Sequence, residues 1–297
     1  MGGKNMKKRV FEGVGTALVT PFLNGEIDFS ALGRLIDMQI EAGVGGLIIG
    51  GTTGEAATLS DRERYELFSF AKERIGGRCP MVLGTGTNDT AVAVKHTEFA
   101  EELGCDGVLV VTPYYNKGTE RGLIYHYQKI AGSTSLPIIL YNVPGRTGVN
   151  MSQRTLECLA EVENIVGIKE AGDSADRLVA LGAMGERLQL YAGNDSQFYT
   201  VLALGGAGVI SVVSNIMPKE MCSLYKAFCK GDLARAREIQ MKLLPLIHAL
   251  FIETNPAPIK HAMSRLALCS EEMRLPMYEI TSESKRIIDI ELNRCGL

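Results

Sequence analysis

Short apolar runs rich in β-branched residues return about every 20–35 residues along this chain, and the segments between them carry helical spacing. The runs are Thr16–Val19, Gly46–Ile49, Met81–Gly84, Gly107–Val111, Pro137–Tyr141, Val166–Lys169, Leu188–Ala192 and Gly208–Val212. Ser60 and Glu63 have the spacing of a capping box, and Asp28, Asn88 and Ser152 are placed as N-caps. Gly43, Gly76 and Gly104 follow helices, where a left-handed residue is needed. Strand and helix alternating in this way predict a closed (β/α)8 barrel with a parallel sheet. An open doubly wound sheet is the alternative. Its G-x-G-x-x-G fingerprint after the first strand is missing, because Gly13-Val14-Gly15 precedes that strand.

From Pro218 the pattern becomes helical, with no further strand candidate. Pro218 suits a first helical position, Gly231-Asp232 interrupts, Pro245 predicts a kink, and Asn255-Pro256-Ala257-Pro258 marks a turn or helix start. The expected division is a barrel over 1–217 and a C-terminal helical domain of three helices over 218–297.

Charge is nearly balanced, 31 basic against 34 acidic residues, with no basic run, so nucleic acid is not an expected partner. The seven cysteines are scattered, without a C-x-x-C pair or zinc spacing, and fit a reducing, cytoplasmic setting. Cys222 and Cys229 are spaced to share a helix face as small apolar residues. Lys4, Lys7, Lys8 and Arg9 imitate the start of a signal peptide, but Glu12 and the following breaks spoil its apolar region. No apolar run approaches the roughly 18 residues of a membrane span. Met1–Lys7 is expected to be disordered.

Sites in such barrels form at the C-terminal ends of the strands. The sixth run ends in Gly167-Ile168-Lys169-Glu170-Ala171, where alternation puts Gly167 and Lys169 on one face. A buried ammonium is costly, and burial favours the neutral, nucleophilic amine. Lys169 is therefore a candidate Schiff-base former; by itself the run also suits a lysine that snorkels or pairs with an acid. The second run ends in Gly51-Thr52-Thr53-Gly54-Glu55, whose hydroxyls and N–H groups suit a carboxylate or phosphate. The fourth ends in Thr112-Pro113-Tyr114-Tyr115-Asn116, the fifth in Tyr141-Asn142-Val143-Pro144-Gly145-Arg146-Thr147-Gly148, and the seventh in Gly193-Asn194-Asp195. Arg146, on a Pro-Gly turn, is placed to hold an anion in two-pronged fashion. An amine, hydroxyls for proton transfer and anion holders fit iminium chemistry on a small oxo acid. The histidines, His96, His126, His248 and His261, fall away from strand ends, so no metal is expected; missing phosphate-binding patterns likewise disfavour a flavin, nicotinamide or PLP cofactor.

The segments ending the second, fourth, fifth and sixth runs, together with Thr16–Phe22, Gly205–Asn215 and Asn255–Lys260, resemble the dihydrodipicolinate synthase family. That family belongs to the pyruvate-dependent class I aldolases of the N-acetylneuraminate lyase superfamily. The resemblance covers almost the whole chain and implies a lyase without a cofactor. It would condense pyruvate with L-aspartate 4-semialdehyde in the diaminopimelate route to lysine. By this likeness Lys169 forms the Schiff base, Tyr141 is the main acid/base group, and Thr52 and Tyr115 complete a proton relay. Thr53 holds the pyruvate carboxylate, Arg146 the carboxylate of the semialdehyde, and Gly193 and Ile210 line the pyruvate pocket. In the family the second tyrosine serves a neighbouring subunit, which implies a dimer or tetramer here.

The resemblance also implies an interface site for lysine at Ala56, Ala57, Asp61, Arg64, Asn88, Val92 and Tyr114. Lysine-sensitive members carry a glutamate where this chain has Val92, so inhibition is expected to be weak or absent. A second departure is Lys117-Gly118-Thr119, where proline is more usual after the basic residue. The rival readings are a lyase for N-acetylneuraminate or a 2-keto-3-deoxy sugar acid, and a catalytically silent barrel that binds an oxo acid. The Pro-Gly-Arg-Thr-Gly turn disfavours the first rival, and the full set of candidate catalytic side chains disfavours the second.

Overall fold

The computed structural model describes residue 7 and residues 9–297. Along them the chain forms β1 (Gly13–Ala17), a short ribbon of β2 (Phe22–Leu23) and β3 (Glu26–Ile27), α1 (Phe29–Ala42), β4 (Gly46–Ile49) and α2 (Asp61–Ile75). It continues through β5 (Met81–Gly84), α3 (Thr90–Glu102), β6 (Gly107–Val111), α4 (Glu120–Ala131), β7 (Ile138–Asn142) and α5 (Pro144–Thr147). Then come α6 (Gln153–Ala160), β8 (Ile165–Glu170), α7 (Ala175–Gly182), β9 (Gln189–Ala192), α8 (Phe198–Ala203) and β10 (Gly208–Ser211). The chain ends in α9 (Pro218–Cys229), α10 (Leu233–Ala249), α11 (Ala257–Arg265) and α12 (Ser282–Cys295). Among the described residues, eight strands close a parallel barrel in the order β1-β10-β9-β8-β7-β6-β5-β4. The fold is the expected (β/α)8 barrel with C-terminal helices.

Local chemistry accounts for most boundaries. Asp28 accepts from the Ala31 N–H, Ser60 and Glu63 form a reciprocal capping box, and Ser152 accepts from the Thr155 N–H. Each such cap contributes about 1 kcal/mol. At α3 the cap is Asp89 rather than the expected Asn88, because the Asp89 carboxylate takes both the Ala91 and Val92 N–H groups. The first strand starts at Gly13, earlier than the expected Thr16, since Gly15 and Ala17 pair with Gly46 and Ile48. Beyond Ala17 the Val19 N–H turns to the Asn215 side chain. The β2–β3 ribbon was not foreseen, although Asn24-Gly25, both at positive φ, is a strong hairpin signal. The helical tail has four helices instead of three. Gly231, at φ 80°, ends α9, and the Asp232 carboxylate caps α10.

Packing divides into two compact units. One comprises residues up to Glu12 together with Val82–Ile210. Tyr127 and Tyr191 are fully buried there, and each hydroxyl finds a backbone carbonyl, that of Val110 at 3.2 Å and that of Phe11 at 2.8 Å. A buried ring with a satisfied hydroxyl keeps its roughly 1.5–3 kcal/mol of apolar stabilisation. Lys7 departs from the expected disorder. Its ammonium donates to the carbonyls of Ala160, Val162 and Ile165, and its own carbonyl accepts from Gln189. Met1–Met6 lie outside the described residues.

The other unit comprises Gly13–Met81 and Ser211–Leu297. Its α10 packs against α9 and α12. Thr16, Gln39 and Ser214 form a buried hydrogen-bonded chain at 2.7–2.8 Å. Cys222 and Cys229 do not share an environment, since Cys222 is buried and Cys229 is exposed. Seven positions are nearly two helical turns of 3.6 residues, but the buried residues of α9, Pro218, Met221, Cys222 and Leu224, all fall short of its end. Burial pushes the Cys222 thiol up to about 11.

Candidate active site

Lys169 is the fifth residue of the buried strand β8, and Tyr141 is the fourth of β7. The two strands pair in parallel with Tyr141 opposite Lys169, one step before Asn142 opposite Glu170. Both site side chains are nearly sealed, at 5% and 7% exposure. The Lys169 Nζ stands 4.2 Å from the centre of the Tyr141 ring. Sheet register therefore places an amine and a phenol side by side, in a desolvated setting where a cation over a ring gains about 2 kcal/mol.

The first unit also carries Arg146, Gly193, Ile210 and Tyr115. Arg146 stands exposed on the single turn α5, which Pro144 opens and Gly148 closes at φ 65°. Thr147 braces that turn by donating to the Val143 and Val149 carbonyls. Gly193 follows β9, and its N–H donates to the Glu170 carbonyl at 2.6 Å. A side chain there would meet Ala171 and the Glu170 carbonyl at 2.6 Å, so only glycine fits. Ile210 is fully buried in β10. Tyr115 is 89% exposed on a left-handed backbone, φ 70°, a conformation that costs a non-glycine residue about 1 kcal/mol or more.

In the second unit, Thr52 and Thr53 sit in a turn after β4, laced by the Gly54 N–H to the Gly51 carbonyl and the Glu55 N–H to the Thr52 carbonyl. Thr53 is buried, and its Oγ1 accepts from the Asn255 side chain at 3.0 Å. Glu55 follows with φ 52°, and its carboxylate contacts the Lys260 Nζ. Thr20 Oγ1 donates to the Gly54 carbonyl at 2.7 Å. The turn is thus held at three successive residues, Thr53, Gly54 and Glu55.

The Asn255, Lys260 and Glu55 supports were missed as such from the sequence. The available signal was Lys260 itself, a lone cation among Ala257, Pro258, Ile259, Ala262 and Met263, which demands a buried carboxylate. The same holds for Asn142 and Glu170, each next in sequence to a predicted site residue but assigned no part.

The candidate regulatory positions form two groups. In the second unit Ala56 and Ala57 lie in a 3-10 turn, and the buried Arg64 donates to the Ala56 carbonyl at 2.7 Å, with Asp61 opening α2. In the first unit the Asn88 carbonyl accepts from Asn116, which ties it to the loop bearing Tyr114, while Val92 occupies the first turn of α3. Among the described residues, no group of three or more His, Cys, Asp or Glu side chains is placed to hold a metal.

A family model described as the dihydrodipicolinate synthetase family matches residues 10–294. A 4-hydroxy-tetrahydrodipicolinate synthase of Thermotoga neapolitana is 47% identical over 97% of this chain and 100% of its own length. One of Kosmotoga olearia is 46% identical over 97% of this chain and 99% of its own. The crystal structure of the dihydrodipicolinate synthase of Thermotoga maritima superposes with a TM-score of 0.94 at 43% identity, covering 97% of this chain and 99% of that one.

Proposed function

The chain belongs to the dihydrodipicolinate synthetase family and has the 4-hydroxy-tetrahydrodipicolinate synthase activity of its relatives, and from that premise we propose how its side chains divide the work. Lys169 attacks the carbonyl carbon of pyruvate, and loss of water leaves an imine. A proton leaves the methyl group to give an enamine, which adds to the aldehyde carbon of L-aspartate 4-semialdehyde. Ring closure by the amino group of the second substrate expels the lysine and completes the cycle. Tyr141 moves the protons, with Thr52 and Tyr115 as its relay. Thr53 and the N–H groups of its turn hold the pyruvate carboxylate, Arg146 holds the carboxylate of the semialdehyde, and Gly193 and Ile210 shape the space around the donor.

The observation that carries this reading is the pairing of Lys169 with Tyr141 across β7 and β8, with Nζ 4.2 Å from the ring centre. A lysine and a phenol in contact, both closed off from water, are the nucleophile and proton carrier that imine chemistry needs. The exposure of Tyr115 on a strained backbone supports its service to a neighbouring subunit, so the working form is a homo-oligomer. Among the described residues no helix is long and apolar enough to cross a membrane. We assign the enzyme to the cytoplasm, in keeping with its small polar substrates and scattered cysteines.

The test is reduction with borohydride in the presence of pyruvate. The expected product is one added three-carbon unit on the peptide that contains Lys169, and none in Lys169→Ala. Condensation activity that survives in Lys169→Ala would overturn the assignment.

A further inference from the structure

We propose that Asn142 is a positioning residue that fastens the neck of the Arg146 turn to the strand carrying Lys169, by way of the buried Glu170 carboxylate. This rests on the reading of Lys169 as the imine former and Arg146 as the holder of the second carboxylate.

Asn142 ends β7 and is fully buried. Its Nδ2 donates to Asn150 Oδ1 at 2.8 Å and to both Glu170 carboxylate oxygens at 3.0 Å. Its Oδ1 accepts from the Met151 N–H at 3.0 Å. An amide offers two N–H donors and one carbonyl, so these bonds use the whole group. One side chain thereby closes a loop from 142 to 151 at its base, with α5 and Arg146 inside it.

Glu170 anchors this closure from the neighbouring strand. It is 1% exposed and accepts from Arg177 Nε at 2.7 Å and from the Gly172 N–H at 2.8 Å, besides Asn142. Arg177 also donates through Nη1 to the Met151 carbonyl at 2.8 Å. Met151 is therefore gripped at its N–H by Asn142 and at its carbonyl by Arg177. A carboxylate with three kinds of donor around it has one geometry and transmits it. Arg146 rides on α5 inside this loop, so a shift of the loop's base carries its guanidinium along, and a displacement of about 1 Å can cost up to 10²-fold in a bimolecular active site.

The experiment uses the full chain with Asn142→Ala, Asn150→Ala, Arg146→Ala and the double variant Arg146→Ala/Asn150→Ala. KM is measured for each substrate, and the rate of borohydride trapping with pyruvate alone. Asn142→Ala should raise KM for the semialdehyde about tenfold or more, with trapping of pyruvate held within about twofold. Asn150 is exposed, so Asn150→Ala will fold even where Asn142→Ala does not. It should raise the same KM about threefold, and this effect should vanish when Arg146 is already alanine. Equal damage to both KM values and to trapping would mean general loosening and overturn the proposal, as would an Asn150→Ala effect that adds in full to that of Arg146→Ala. If Arg146→Ala itself leaves the semialdehyde KM unchanged, the site reading falls and the positioning role falls with it.

Discussion

Lys260 and Glu55 make an ion pair sealed from solvent, with Nζ in contact with Oε1 and side chains 0% and 1% exposed. The Lys260 ammonium also donates to the Glu272 carbonyl at 2.8 Å and lies 4.4 Å from the centre of the Phe22 ring. The Arg274 N–H reaches the second Glu55 oxygen at 3.1 Å. Burial lowers the pKa of the lysine despite the opposing pull of Glu55, so desolvation is the larger effect. The pair spans from α11 to the turn of Thr52 and Thr53.

Removing one partner strands the other charge. Lys260→Met should therefore destabilise by about 3–5 kcal/mol. Pairing it with Glu55→Leu should return part of that loss, because no buried charge remains. Urea unfolding of the two variants decides; a double variant no better than the single one contradicts the stranded-charge account.

Tyr141→Phe keeps the ring beside Lys169 and removes only the hydroxyl. Turnover should fall by roughly 10²–10⁴-fold, the usual worth of a general acid or base, with the melting temperature nearly unchanged. Steady-state kinetics beside calorimetry checks both halves. A loss below tenfold would place proton transfer elsewhere.

His126 is buried in α4 with Thr90 Oγ1 2.9 Å from Nδ1, and burial lowers its pKa from 6.5 to about 4. The unfolded chain thus binds a proton near pH 6.5 that the fold refuses until about pH 4. Stability is unaffected above pH 6.5 and declines as pH falls through this window, by on the order of 3 kcal/mol at most. His126→Gln should flatten that part of the stability profile. An unchanged slope between pH 6.5 and pH 4 would show that other groups set it.

Val92 lies exposed in the first turn of α3, with its N–H directed to Asp89 Oδ1. A valine there offers no carboxylate to an amino group, so millimolar lysine should leave the condensation rate essentially unchanged. Val92→Glu should introduce a measurable dependence on lysine. Strong inhibition of the parent enzyme at neutral pH is the outcome that sinks this expectation.

Gly193→Ala would push a methyl group to 2.6 Å from the Glu170 carbonyl and from the Ala171 side chain. The strand end beside Lys169 must shift to accept it, at about 1–3 kcal/mol. Activity should suffer more than stability, measured as kcat/KM against the urea midpoint. Parental kinetics in a folded Gly193→Ala enzyme would show that the close approach is dispensable.

The barrel was legible because its signal is periodic and local. Buried parallel strands need apolar runs, and the helices between them need caps such as Ser60–Glu63. Lys169 was legible for the opposite reason, as one cation that breaks an apolar pattern. The residues of the site also announce their chemistry by type, an amine, a phenol, a guanidinium and two hydroxyls.

Pairing was decided only by the tertiary structure. Whether Tyr141 faces Lys169, and Asn142 faces Glu170, depends on register between strands 28 residues apart in the chain, and a slip by one residue reverses every face. Lys260 and Glu55 are farther apart still, and neither has a local partner that reveals the other. The sequence by itself determined which elements form and which side chains carry reactive groups. The tertiary structure decided which buried charge answers which, because long-range burial, unlike helix spacing, leaves no period in the chain.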